Sequence, residues 1–318
     1  MSQTFGFETT AEEVAKRHAK HITGKNILIT GCTLGGLGAE CCRVIAKHEP
    51  GLLVVAGRRL ESITETINQI KLESPNANLK SLIVDLASLE SVRNAAQEVL
   101  CFPEHIDVLI NNAAVFNATY TKTQDGYESQ FGTNHLGPFL FTNLIMSKIL
   151  ANTHGESRII NVSSAGHIMS PIRFEDPFFG DGNLYDKYKA YGQSKTANIL
   201  FTRSLIARYH NQNLLAFSLH PGSILTNLQQ GVDIFSPDDP MVDYQGNPLT
   251  QEDHQQKTVG QGAATHIVAA FDPSIKSHPG SYLQDCQIDD DAVAFYAKSD
   301  DDAARLWALS EKLVGSTF

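Results

Sequence analysis

The stretch Asn26-Ile27-Leu28-Ile29-Thr30-Gly31-Cys32-Thr33-Leu34-Gly35-Gly36-Leu37-Gly38 runs from an apolar, β-branched segment through a glycine-rich turn into a helical pattern. Strand, tight turn and helix N-terminus in that order make a dinucleotide-binding unit. Glycines let backbone N–H groups approach a pyrophosphate where the helix end carries partial positive charge. Alone the turn is a weak signal, because glycine-rich turns precede many helices.

Working outward, short apolar runs recur at 52–56, 79–84, 106–110, 158–162, 214–219 and 281–283, with helical patterns between them at 37–48, 60–72, 88–100, 137–151 and 188–209. Strand and helix in alternation imply βαβ crossovers and a parallel sheet covered on both faces. The expected fold is α/β, a Rossmann-type doubly wound parallel sheet of about seven strands in three layers. No linker or repeat divides residues 1–318, so one domain is expected, with an N-terminal extension at 1–24. Gly31, Arg58, Asp85, Asn111-Asn112, Ser163-Ser164 and Pro221-Gly222 each follow a strand. Six strand ends therefore converge on one crevice, where such folds bind ligands. Two aperiodic stretches, about 166–187 and 227–258, are long enough to be substrate loops.

Composition narrows the function. A net charge of −10 and a pI near 5.6 disfavour nucleic acid and anionic membranes. Five cysteines, an odd count without paired spacing, point to a reducing compartment. The charged N-terminus lacks the apolar core of a signal peptide, and Pro138, Asn143 and Lys148 interrupt the longest apolar stretch, so a cytoplasmic protein without a membrane span is expected. Twelve histidines come without an HExxH or paired CxxC pattern, and no metal is expected. The acidic runs at 289–291 and 300–302 are expected to face solvent, the second capping the last helix.

About 20 residues beyond Gly38 such folds place the group that reads the adenosine ribose. Here it is Arg58, followed by Arg59, with no carboxylate. A guanidinium holds a 2′-phosphate that a carboxylate would repel, so NADP(H) is expected over NAD(H). Asp85 is read either as an adenine contact or as a cap for the helix at 88–100.

Tyr191 and Lys195 lie four residues apart, hence on one helix face, and a nearby ammonium lowers a tyrosine pKa towards working pH. Tyr185 and Lys189 share that spacing. The second pair is favoured because it lies well inside the helix and leads into Ala197, Ile199, Leu200 and Phe201, whereas Tyr185 follows a Gly/Asp loop. A serine of Ser163-Ser164 would orient a substrate oxygen. Asn134 would hold a water by its carboxamide or backbone, or simply cap a helix. His135 and His220 adjoin these motifs and are read as structural.

The glycine turn, Ala56-Gly57-Arg58-Arg59, Asp85-Leu86, Asn111-Asn112-Ala113-Ala114, Thr133-Asn134-His135-Leu136-Gly137, Arg158 to Ser164, Tyr191 to Lys195 and His220-Pro221-Gly222 together resemble the short-chain dehydrogenase/reductases. The likeness is to the branch of retinol dehydrogenases and WW-domain oxidoreductase-like enzymes, over about residues 8–315. It implies a catalytic tetrad of Asn134, Ser164 (rather than Ser163), Tyr191 and Lys195. It also implies cofactor contacts at Gly31, Gly36, Leu37, Gly38, Arg58, Asp85, Leu86, Asn112, Ala113, Tyr191, Lys195, Ile224 and Thr226.

Two departures stand out. The family turn reads TGxxxGxG, but four residues separate Thr30-Gly31 from Gly36-Leu37-Gly38, which shifts the phosphate-binding amides by a position. Ala114 stands where glycine is usual. The expected activity interconverts an alcohol with a ketone or aldehyde using NADP(H). The alternatives are a reductase of natural-product or α,β-unsaturated carbonyls and a non-catalytic nucleotide-binding scaffold. A small-molecule carbonyl or alcohol is the expected partner, and a homo-oligomer would fit the family. Phe174, Phe178, Phe179, Phe235 and Tyr244 either line an apolar substrate pocket or pack their loops onto the domain.

Overall fold

Eight strands form one sheet: β1 (Asn26–Thr30), β2 (Leu52–Gly57), β3 (Leu79–Ile83), β4 (Val108–Asn111), β5 (Ser157–Val162), β6 (Leu214–Leu219), β7 (Tyr282–Gln284) and β8 (Gln287–Ile288). Their order is β3-β2-β1-β4-β5-β6-β7-β8, parallel throughout except for the antiparallel β7–β8 pair. The computed structural model describes residues 4–152, 155–209, 211–224, 228, 239–249 and 255–318.

The short β8 adds one strand to the about seven expected. Its two-residue turn is Asp285-Cys286, both with positive φ (49° and 63°), where hairpins of this kind usually advertise themselves with Asn-Gly or Asp-Gly.

The helices are α1 (Ala11–Arg17), α2 (Ala19–Ile22), α3 (Leu37–Ala46), α4 (Leu60–Glu73), α5 (Leu89–Leu100), α6 (Ser129–Phe131), α7 (Gly137–Leu144), α8 (Met146–Leu150), α9 (Lys187–Tyr209), α10 (Val259–Phe271) and α11 (Asp300–Val314). The helix expected over 137–151 breaks at Ile145 (φ −96°, ψ 7°) into α7 and α8. Residues expected as an N-terminal extension belong to the packed fold. Ala11, Val14 and Ala15 of α1 are buried in the layer that also contains α3 and α10. Among the described residues no helix is long and apolar enough to cross a membrane.

Central strands such as β1, β2, β5 and β6 are buried along their whole length, as expected for a sheet covered on both faces. Their side chains alternate between two cores. Leu28, Val54, Leu109 and Ile159 join the layer under α5, α7, α9 and α11, while Ile27, Val55, Ile110 and Ile160 join the layer under α1, α3 and α10. In the first layer α9 lies between the sheet and α11, whose Trp307 packs edge-on against Phe139 at 5.0 Å. α11 begins at its N-cap Ser299 with Asp300, Asp301 and Asp302 in the first turn, where their charge suits the helix dipole.

Strand order reverses between β1 and β4. The turn after β1 and the end of β4 accordingly open a crevice at their carboxyl ends.

Candidate active site

Along one side of the crevice runs the glycine turn. Gly36 is the N-cap of α3, so the free amides of the helix start at Leu37 and Gly38. The extra residue is absorbed upstream, in a turn where Gly36 N–H donates to Thr33 O (3.1 Å) and Gly35 takes φ +80°. Gly36-Leu37-Gly38 therefore keeps its place at the helix start.

Gly38 has no room for a side chain. A Cβ there would sit 2.6 Å from Asn112 Nδ2 and 2.7 Å from Gly31 O. Asn112 Nδ2 in turn donates to Thr30 O (2.8 Å), locking the end of β4 to the turn after β1. We expect Gly38→Ala to raise the Kd for NADPH at least about tenfold by distorting this junction, measurable by fluorescence titration. An unchanged Kd would show that the turn is not the dinucleotide cradle.

The opposite wall carries the reactive side chains. Lys195 donates through Nζ to Val162 O (3.1 Å), and its Nζ lies 5.4 Å from the Tyr191 ring centroid. The Tyr191 hydroxyl lies near enough to Ser164 for the serine to favour its ionised form. The pleat separates the two serines. Both border the crevice, but Ser163 Oγ donates to Lys195 O (2.8 Å) and is buried, whereas Ser164 Oγ accepts from Gly166 N–H (3.0 Å).

The rival pair has other partners. Tyr185 lies outside α9, donates to Asn117 O (2.8 Å) and accepts from Gln130 Nε2 (2.9 Å), while Lys189 pairs with Asp186 on the surface.

Burial, more than pairing, governs the ionisation of the site. Tyr191 is pushed up to about 12 by desolvation, against which Ser164 pulls downward. This corrects the expected lowering by Lys195, because the lysine, itself brought down to about 7 by burial, carries only about half its charge at pH 7 and is aimed at Val162 O.

Asn134 lies in a single π-helical turn, Gly132–Leu136, a feature frequent at functional sites. Its carboxamide is fully engaged: Oδ1 accepts from Val115 N–H (2.8 Å), and Nδ2 donates to Val115 O (3.0 Å) and Ser194 Oγ (3.0 Å). It caps no helix, and a water held there would meet only its main chain. His135 is buried against Phe131, Phe139 and Phe201 and meets Ser310 of α11 (2.7 Å).

The remaining expected contacts divide. Gly31, Gly36, Leu37, Arg58, Asn112, Ala113 and Ile224 line the crevice of about 740 Å³, joined there by Arg59, Ala114 and His220, which were not expected as contacts. Asp85 instead accepts from Ala87 N–H (3.0 Å), and the cap of α5 is Ser88, whose hydroxyl accepts from Ser91 N–H. Leu86 is buried with its carbonyl and Cβ both against Gly137. Thr226 and Phe235 lie outside the described residues, as does much of the loop expected at 227–258.

Three of the loop aromatics, Phe174, Phe178 and Phe179, pack onto the domain, whereas Tyr244 stays exposed. Phe178 stacks on Tyr127, Arg305 covers Phe174, Phe179 is 1% exposed, and Tyr244 meets Phe295 and Tyr296. The apolar end of the crevice is built by Phe116, Met169 and Met241, which sequence reasoning did not single out. Phe116 alone carried a signal, following the carboxyl end of β4; its ring meets Tyr191 edge-on at 5.3 Å.

Residues 25–175 match the family model for short chain dehydrogenase. Retinol dehydrogenase 14 of Mus musculus is 37% identical over 306 residues, covering 92% of this chain and 86% of that protein. The chain belongs to the short-chain dehydrogenase/reductase family. Within it the chain falls in the retinol dehydrogenase-like branch, and the family identifies it as an oxidoreductase. A putative uncharacterized protein from Mycobacterium paratuberculosis superposes with a TM-score of 0.70 at 29% identity, covering 93% of this short-chain dehydrogenase and 96% of that chain. A gluconate 5-dehydrogenase from Burkholderia cenocepacia, solved with NADP and tartrate, superposes with a TM-score of 0.60 at 20% identity over 83% of this chain and 95% of its own.

Proposed function

We propose that this protein is an NADP(H)-dependent oxidoreductase that interconverts an alcohol with a ketone or aldehyde, with Tyr191 as the acid/base. The observation that carries the reading is that Ser164, Tyr191 and Lys195 face the same crevice as the glycine turn and Arg58. The residues fit a dinucleotide: a glycine cradle that a Cβ would fill, a free helix N-terminus and two arginines at the far end. A nicotinamide dinucleotide seated there supplies the hydride in the reducing direction and takes it in the other.

Ser164 Oγ holds the substrate oxygen and turns it towards Tyr191. The phenol gives that oxygen its proton as the carbon is reduced, and takes one from the hydroxyl as the alcohol is oxidised. Burial keeps the phenol protonated at neutral pH, so the ligand-free protein is poised as an acid. Lys195, when charged, favours the phenolate that remains. With the Asn134 carboxamide engaged, its main-chain carbonyl is the group that holds a relay water between Lys195 and solvent. Phe116, Met169 and Met241 suit a substrate with an apolar body.

Turnover of a panel of aldehydes and ketones, followed by NADPH absorbance, tests the reading. Confirmed NADPH binding without reduction of any member, or oxidation of any corresponding alcohol, would favour a nucleotide-binding scaffold. For the cofactor preference, loss of a charge-assisted contact costs about 1.5–3 kcal/mol, roughly 10- to 100-fold. Arg58→Ala is therefore expected to lower kcat/KM with NADPH by that factor and leave the NADH value within about twofold. An equal loss with both cofactors would separate Arg58 from 2′-phosphate recognition.

A further inference from the structure

We propose that His167 is a positioning residue for this reaction: its imidazole fixes the peptide of Ser164 and thereby the hydroxyl that faces Tyr191. The inference rests on the reading of Ser164 given above.

His167 is 1% exposed within a short 3-10 turn, Ala165–Met169, that leads away from Ser164. Its Nδ1 lies 2.8 Å from Ser164 O, an atom without a hydrogen to give, so Nδ1 carries the proton and donates. Its Nε2 lies 3.1 Å from the amide nitrogen of Ala294, which can only donate, so Nε2 accepts. The two partners select one neutral tautomer, and burial, which brings the imidazole down to about 4, keeps it neutral.

Ser164 O also accepts from the backbone N–H of His167 (3.1 Å), so one residue holds that carbonyl with two donors. The His167 carbonyl in turn accepts from Thr196 Oγ1 (3.1 Å), one residue beyond Lys195 on α9, and from Tyr296 Oη (2.8 Å). The serine and Ala294 thus meet the imidazole of His167, while the helix bearing Tyr191 and Lys195 meets its main-chain carbonyl. A displacement of about 1 Å at a reacting group can cost about 100-fold in rate.

The two imidazole bonds can be separated. Asparagine places its amide near Nδ1 and can donate to Ser164 O, whereas glutamine reaches the Nε2 position and can accept from Ala294. With NADPH and the best substrate of the carbonyl panel, His167→Asn is expected to keep kcat within about threefold of wild type. His167→Gln is expected to lose at least about tenfold in kcat with unchanged NADPH Kd. Ala294→Pro removes the amide donor at a φ of −58° that suits proline, and is expected to retain kcat.

A glutamine variant as active as the asparagine one, or a proline variant as impaired as glutamine, would overturn the proposal. Ser164→Ala separates the levels. If it keeps wild-type kcat, both the site reading and this inference fail; if it is inactive while His167→Gln is not, this inference alone fails. Independently of turnover, 15N-histidine spectra should show His167 as the Nδ1–H tautomer over roughly pH 5 to 9, with the signal assigned by its absence in His167→Gln. An Nε2–H tautomer would also refute it.

Discussion

Tyr191→Phe is expected to lower kcat by about 10³-fold or more while the NADPH Kd stays within about threefold. The substitution removes one oxygen and keeps the ring, which meets Phe116 at 5.3 Å, so the crevice wall is preserved. What is lost is the phenolic hydroxyl beside Ser164 that delivers a proton to an oxygen held there. A positioned general acid contributes about 10²–10⁴-fold. The larger figure is favoured because a pKa pushed up to about 12 keeps the tyrosine loaded with its proton, whereas the acid beside it, Lys195, aims its Nζ at Val162 O. The control is Tyr185→Phe. It breaks bonds to Asn117 and Gln130 and is expected to cost about 1–2 kcal/mol of stability with kcat near wild type. A Tyr191→Phe enzyme retaining a tenth of wild-type kcat would sink the assignment.

The comparison of these two tyrosines shows what the sequence could carry. Tyr185/Lys189 and Tyr191/Lys195 have identical spacing, and only tertiary structure places the first pair against Gln130 and Asp186 and the second in the crevice. The sheet was legible because its central strands are buried on both faces and read as unbroken apolar runs. β8 was not, because Asp285-Cys286 makes a left-handed turn without glycine. Ser163 and Ser164 differ by one step of the pleat, which no motif geometry resolves. The direction in which Phe174, Phe178 and Phe179 turn is a packing outcome, and so is the role of His167, whose partner Ala294 lies 127 residues away in the chain.

The tyrosine pKa was misjudged for the same reason. Spacing reports that an amine is near a phenol, but desolvation of both groups decides their charge.

That desolvation makes Lys195 a site where function and stability oppose each other, and Lys195→Met should expose it. Loss of the ammonium beside the phenolate is expected to lower kcat by about 10²–10³-fold, while the ligand-free protein becomes more stable. Lys195 is 2% exposed, and burial moves its pKa from 10.5 to about 7. At about 1.4 kcal/mol per unit, the folded state pays on the order of 4 kcal/mol to keep it at pH 7. Methionine fills the same volume without that penalty, and Val162 O keeps a donor in Asn198 Nδ2 (3.0 Å). A rise in Tm of roughly 4–6 °C follows from the entropy of unfolding a chain of this size.

The sign with pH is distinctive. Below pH about 7 the lysine is charged in both folded and unfolded chains and the burial penalty is fully present. Between 7 and the unfolded value near 10.4 the unfolded chain binds more protons, so wild-type stability climbs with pH. Above that range both forms are neutral and the penalty is gone. The Tm advantage of Lys195→Met should therefore be largest near neutrality and shrink as pH rises towards 10. His266, the other titratable group acting on Lys195, is held down to about 4 and stays neutral across this window. A methionine variant no more stable than wild type at pH 7, or an advantage that grows with pH, would show that Lys195 is solvated in solution and that its burial does not set the chemistry of the site.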